Sequence, residues 1–315
     1  MQREIHLVGS IGLSSAEEVF RAVSGLIGNR VARIPDGETG ARSSWIHWNR
    51  VVFEANPALE PDPSEMASGG RITTAVEGTR RWGGGPARAI GSRQPPRLCI
   101  KDGVTLADMT FAPLGHVAEA QNSYAIFRRL RDEGVIAPGT RFQVSLPTVG
   151  AALNAHIIPA QQALVETPLM RRLFADVADL CATIPHPDLA IQWDVSHEMA
   201  LWEGVRPAWF DDVQEGISDR LAAHLEQVPT DVPAGLHLCY GSYGDRHWKE
   251  PEDLGNCVAV YSKVANKTTR PISWVHMPVP VARDDEAYFT PLSDLVLDPE
   301  TTLYLGLIHI SDGIE

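Results

Sequence analysis

Five short apolar, β-rich runs recur in the second half of the chain with amphipathic helix patterns between them, and this rhythm constrains the fold more than anything else. The runs are Phe142–Leu146, Leu189–Trp193, Gly235–Cys239, Ile272–Val275 and Thr302–Ile308. One intervening pattern carries Leu169, Leu173, Phe174, Val177, Leu180 and Cys181; another carries Val213, Ile217, Leu221 and Leu225. Both repeat at helical spacing. Parallel neighbours need a crossover between them, usually a helix, so a repeated strand–helix unit predicts a parallel sheet. The runs read as apolar on both faces, as strands covered on both sides do.

Two more strands are predicted upstream, Ile5–Ile11 and Val31–Ile34. Between them Ser14 and Glu17 have the spacing of a capping box, Val19, Phe20, Val23, Leu26 and Ile27 form one stripe, and Gly28 marks the stop. The expectation is an α/β fold, a (β/α)8 TIM-type barrel over residues 1–315 with one strand missing. Seven strands leave a parallel barrel with two open edges. The natural protein is therefore expected to continue past Glu315 with an eighth strand, unless a neighbouring subunit covers the seam. Leu98–Lys101 is too short to seal it.

Residues 55–115 break the rhythm. They are rich in Pro, Gly and Arg and include Trp82-Gly83-Gly84-Gly85-Pro86. A long irregular insertion after the second strand often covers an active site, and the plain alternative is a surface excursion. The triple glycine lacks the Gly-Lys-Ser/Thr ending of a phosphate loop.

The chain has 315 residues and a net charge of −13, which argues against a nucleic-acid or anionic-membrane binder, because either needs a basic face. No run approaches the length of a membrane helix, and no signal-peptide pattern precedes Ile5. Four scattered cysteines give no disulfide framework. Together these imply a cytoplasmic protein with reduced thiols, acting on a small molecule. The apolar helix stripes of a barrel exterior would also serve contacts in a homodimer.

Polar residues gather where the strands end. Ser10 lies in the first strand, and Asp36, Glu38 and Arg42 follow the second. Pro147 and Thr148 follow the third; Trp193, Asp194, His197 and Glu198 close the fourth. Tyr240, Tyr243 and Asp245 follow the fifth, His276 ends the sixth, and His309 and Asp312 follow the seventh. In such a barrel all these ends meet at one mouth, where the chemistry is built. Singly, Asp211, Asp245 or Asp312 reads better as a cap or a solvated carboxylate. Within Gly235–Gly241, His237 and Cys239 point to one face of a strand, a pairing that suits Zn²⁺ and suits core packing as well.

Val8-Gly9-Ser10-Ile11-Gly12, Asp36-Gly37-Glu38, Ile191-Gln192-Trp193-Asp194 and His237-Leu238-Cys239-Tyr240 resemble the catalytic domain of cobalamin-independent methionine synthases. More broadly they are similar to the uroporphyrinogen decarboxylase and methionine synthase barrel superfamily. The resemblance implies a barrel, and in the synthase branch a zinc that holds a thiolate for methyl transfer from a folate-type carrier. It casts His237 and Cys239 as metal ligands, Asp194 as a grip on the substrate, and Asp36 and Glu38 as a substrate-facing loop. The departures are the strand-six end, which offers only His276 where that branch has a glutamate, and the absence of a final ligand cysteine.

Methionine synthesis itself is therefore not expected. One reading is transfer of a methyl or other one-carbon group to or from a small-molecule thiol or ether. The alternative is a metal-free lyase or decarboxylase on a small carboxylated substrate. In that reading Asp36, Asp194 and His276 are acid–base groups, with Arg33 and Arg42 holding carboxylates. A third is a barrel that binds without turnover. The site expected in all cases comprises Asp36, Glu38, Asp194 and His276, with Ser10, Arg42, Trp193, Tyr240 and His309 around the substrate and His237 and Cys239 at the metal.

Overall fold

The computed structural model describes residues 4–69, 71–72, 93–241, 247–280 and 282–306. Six strands form one parallel sheet in chain order: β1 Arg33–Pro35, β2 Arg141–Pro147, β3 Leu189–Val195, β4 Ala234–Leu238, β5 Trp274–Pro278 and β6 Thr302–Gly306. The α/β class and the parallel order agree with the strand–helix rhythm. The sheet curls into a half-barrel, and across its concave side the Arg33 guanidinium of β1 lies 3.8 Å from the Trp274 ring centroid and 5.1 Å from that of Tyr304 on β6.

One face of the sheet packs under helices. Val144, Leu146, Ile191, Trp193, Val195, Leu236, Leu238, Val275 and Met277 belong to a continuous apolar core. Helix Gln162–Thr183 adds Leu169, Leu173, Val177 and Leu180, and helix Val213–Glu226 adds Ile217, Leu221 and Leu225. These are the stripes read from the sequence.

The other face lines the lumen, and it is polar. Parallel register sets Ser145, Gln192, Gly235, Trp274 and Thr302 at one level, and Pro147, Asp194, His237, His276 and Tyr304 two residues further on. Alternation puts both rows on the same face. The expectation of strands apolar on both faces is thus corrected. The lumen holds hydrogen-bonding side chains where the usual barrel stacks branched aliphatics.

That polarity explains why Ile5–Ile11 is not a strand. Its contact with β1's end is a single bridge, Ser10 with Gly37, flanked by amide bonds from Ile5 to Arg30 and from Ile11 to Gly37. Side-chain amides hold the segment instead: Gln143 Nε2 donates to the Leu7 carbonyl at 2.9 Å, and Gln192 Nε2 to the Val8 carbonyl at 2.5 Å. Buried carbonyls need a partner, and here the glutamines replace the ladder. At the far edge Tyr304 donates to Glu4 at 2.5 Å, so the segment spans from β1 toward β6. Among the described residues the sheet has six strands, with neither a seventh nor an eighth.

Other boundaries shift slightly. Helix Ala16–Ile27 is capped by Ser15 rather than Ser14: Ser15 Oγ accepts from the Glu18 amide, while the Glu18 carboxylate accepts from Ser14. Val19, Phe20 and Val23 are buried, whereas Leu26 is 81% exposed, outside the stripe. The described parts of residues 55–115 contain short strands and helical turns. Leu59–Pro61 pairs antiparallel with Leu98–Ile100, Arg71–Ile72 pairs with Arg93–Gln94, and Leu59, Leu98, Met109, Phe111 and Leu114 enter the core. Trp82–Pro86 lies outside the described residues. No described helix is long and apolar enough to cross a membrane.

Candidate functional site

The turn after β1 is shaped for close packing. Gly37 adopts φ +80°, and a Cβ there would stand 2.6 Å from the Val19 side chain, so the position requires glycine. Glu38 follows at φ 49°, rare for a residue with a side chain, and this aims its carboxyl back over the sheet. Asp36 is buried. Its two oxygens accept from Arg42 Nη2 at 2.6 Å and from the Glu38 amide at 3.1 Å, which fixes the turn. Ser10 donates its hydroxyl to Glu38.

Asp194, at the end of β3, completes a second carboxyl group in this place. Gln192 Nε2 donates to it at 2.8 Å and Trp45 Nε1 at 3.4 Å. Burial, with Glu38 beside it, pushes the Asp194 carboxyl well above the ordinary carboxylate range. Glu38 is raised too, by burial and then by the Asp36 charge, against the lowering pull of Ser10 and Arg42. Two neighbouring carboxyls that both resist ionisation suit shared custody of a proton.

Two adjoining recesses open here, of about 360 and 300 Å³ with their open mouths included. Both are lined by Glu38, Arg42, His116 and Ser145; Trp45 and Trp48 wall the second. His116 opens helix His116–Asp132, and its ring meets Trp48 edge-on at 5.2 Å. Burial, with Arg42 nearby, lowers the His116 imidazole to about 4, so it is neutral at pH 7.

His237 and His276 stand in the same row as Asp194, one and two strands over. Their Nδ1 atoms face each other at 2.7 Å. Burial lowers both imidazoles, His276 to about 4. Cys239 continues this face; its sulfur accepts from the Gly241 amide at 3.3 Å, and burial pushes the thiol up to about 11. The two imidazoles bond to each other, the Cys239 sulfur accepts from Gly241, and no three His, Cys, Asp or Glu side chains gather around a metal position among the described residues.

Two expected substrate contacts point elsewhere. Trp193 faces the helices, fully buried, its ring edge-on to His224 at 4.7 Å, because it alternates with the lumen-facing Gln192 and Asp194. Tyr240 also turns away, stacking on Trp248 and donating to Glu203 at 2.5 Å. Arg33 lies inside the lumen against Trp274 and His6, away from the mouth. His309, Asp312, Tyr243 and Asp245 lie outside the described residues.

Sequence reasoning missed Gln192, Trp45, Ser145 and His116. Gln192 carried a signal: it shares the parity of Asp194 inside an apolar strand. Trp45 and His116 carried none, since each arrives through tertiary packing. No protein-family model and no curated protein matches the chain.

Proposed function

We propose that this chain is an enzyme of the metal-free lyase type, moving a proton on a small molecule with Glu38 and Asp194. Glu38 reaches the recess and accepts a substrate proton as carboxylate, returning it later as the acid. Asp194 stands behind it, holding the proton that keeps Glu38 from facing a second bare charge. Arg42 and Asp36 fix the turn, and Ser10 orients the Glu38 carboxyl. Acid–base work near neutrality requires carboxyls raised above their ordinary values, and this pair has that property. The observation that carries the reading is the placement of two carboxyls together at the end of the sheet, Glu38 at the recess bonded by Ser10 and buried Asp194 beside it bonded by Gln192 and Trp45, a setting in which burial raises both.

A carboxyl-carbon NMR titration tests it. We expect Asp194 to titrate far above its free value of about 4, and Glu38→Gln to bring it down. An Asp194 that titrates normally would end this reading. The likeness to the methionine synthase barrels belongs to the same proposal, supported by the parallel curled sheet and by Asp194 at a strand end. Methyl transfer with zinc and a folate-type carrier would require His237 and Cys239 to leave their present partners. One zinc per purified chain, lost in His237→Ala and Cys239→Ser, would replace the acid–base reading by that one.

A further inference from the structure

The start of helix His116–Asp132 has a feature that the acid–base pair does not use. Its N-cap is Gly115 at φ 95°, with no side chain to accept from the first turn. The amides of His116, Val117 and Ala118 have no acceptor among the described residues. These three unpaired amides and the helix dipole favour negative charge at such an end. Gly115 cannot be exchanged for a capping residue, because a Cβ there would stand 2.7 Å from Trp48.

Two side chains independently point to a ligand. His116 is 9% exposed, lines both recesses, and has an Nε2 with no partner. Arg42 lines them too. Its Nη2 is held by Asp36, but its Nε lacks a hydrogen bond, the carboxylate of half-exposed Glu119 standing 3.6 Å off. Buried side-chain nitrogens without hydrogen-bond partners are uncommon, and two of them, His116 Nε2 and Arg42 Nε, belong to residues lining the recess beside which this helix begins.

We propose that the His116 helix start, His116 Nε2 and Arg42 Nε form an oxyanion subsite for a carboxylate or phosphate of a small ligand. The neutral imidazole donates from Nε2, the guanidinium from Nε, and the amides of the first turn complete the cradle. Asp36 does not oppose this, since Arg42 already pairs with it; Glu119 is the group the ligand displaces. The inference deepens the reading above, because the oxyanion would anchor the molecule on which Glu38 acts.

Backbone amide NMR on the full chain tests it, with inorganic phosphate and malonate as separate probes at constant ionic strength. The expected result is a saturable shift at His116, Val117 and Ala118 with a millimolar Kd. A tighter curve for one probe identifies phosphate or carboxylate. His116→Phe keeps the ring against Trp48 and should weaken binding about tenfold, the equivalent of one hydrogen bond to a charged group. No shift at these amides with either probe, or equal binding by a folded His116→Phe, overturns the subsite. Glu38→Gln/Asp194→Asn should still bind, so failure of the subsite and failure of the acid–base pair are separable.

Discussion

Replacing Glu198 by Gln should stabilise the protein at alkaline pH and leave it unchanged in acid. Glu198 is buried at 3% exposure, and its Oε2 has no partner among the described residues. Its other oxygen occupies the space beside Gly150, where an added Cβ would stand 2.6 Å from it. Burial raises the carboxyl from 4.5 to about 7; the Thr148 hydroxyl and the Arg220 charge pull it down only in part, and Glu166 adds to the rise. Between those two values the folded chain binds more protons than the unfolded chain, so wild-type stability falls as pH climbs. At about 1.4 kcal/mol per unit, the cost is about 3 kcal/mol once pH exceeds the folded value. Gln keeps the shape and removes the linked proton. Urea unfolding of both proteins at pH 4.5, 6 and 8.5 reads the difference directly, with other titrations cancelling. The expected difference is near zero at pH 4.5 and about 3 kcal/mol in favour of Glu198→Gln at pH 8.5. A constant difference across that range would refute the reasoning.

Gly235→Ala should destabilise by about 1–3 kcal/mol or more, since its Cβ would stand 2.1 Å from Trp274 in the lumen; Trp274→Leu added to it should restore part of the lost Tm. Gln192→Leu should loosen the segment that precedes β1 by leaving the Val8 carbonyl only the longer 3.3 Å bond from Ser145, at about 1–3 kcal/mol, with faster hydrogen exchange at the Ile5 and Ile11 amides as the readout. Tyr240→Phe removes the bond to Glu203 and should cost about 1.5–3 kcal/mol in urea unfolding, while the anion titration at His116 stays unchanged.

The class of the fold was legible because hydrophobic periodicity reports which element forms and which face it buries. Leu169, Leu173, Val177 and Leu180 on one helix, and Ile217, Leu221 and Leu225 on another, sit where their spacing puts them. Strands β2, β3 and β4 begin within one residue of expectation. Periodicity is silent about partners. Ile5–Ile11 has the composition of a strand, yet its carbonyls find Gln143 and Gln192 before they find a neighbouring backbone. Two glutamines far along the chain decide that outcome, and no local window contains them.

The site divides along the same line. Asp36, Glu38 and Arg42 were readable because one short turn carries all three, and Asp194 because it ends an apolar strand. Trp193 lies on the helix-facing side because alternation separates it from Gln192 and Asp194, and Tyr240, beyond the end of β4, stacks on Trp248; period two sets a strand residue's direction, and adjacency does not. For the zinc pair, spacing is informative only in part. His237 and Cys239 do share a face, as their spacing requires, but ligand chemistry depends on a third group, and β5 brings His276 close enough to bond His237 ring to ring. Spacing within one strand can place two donors; only the registry between strands decides whether they meet a metal or each other.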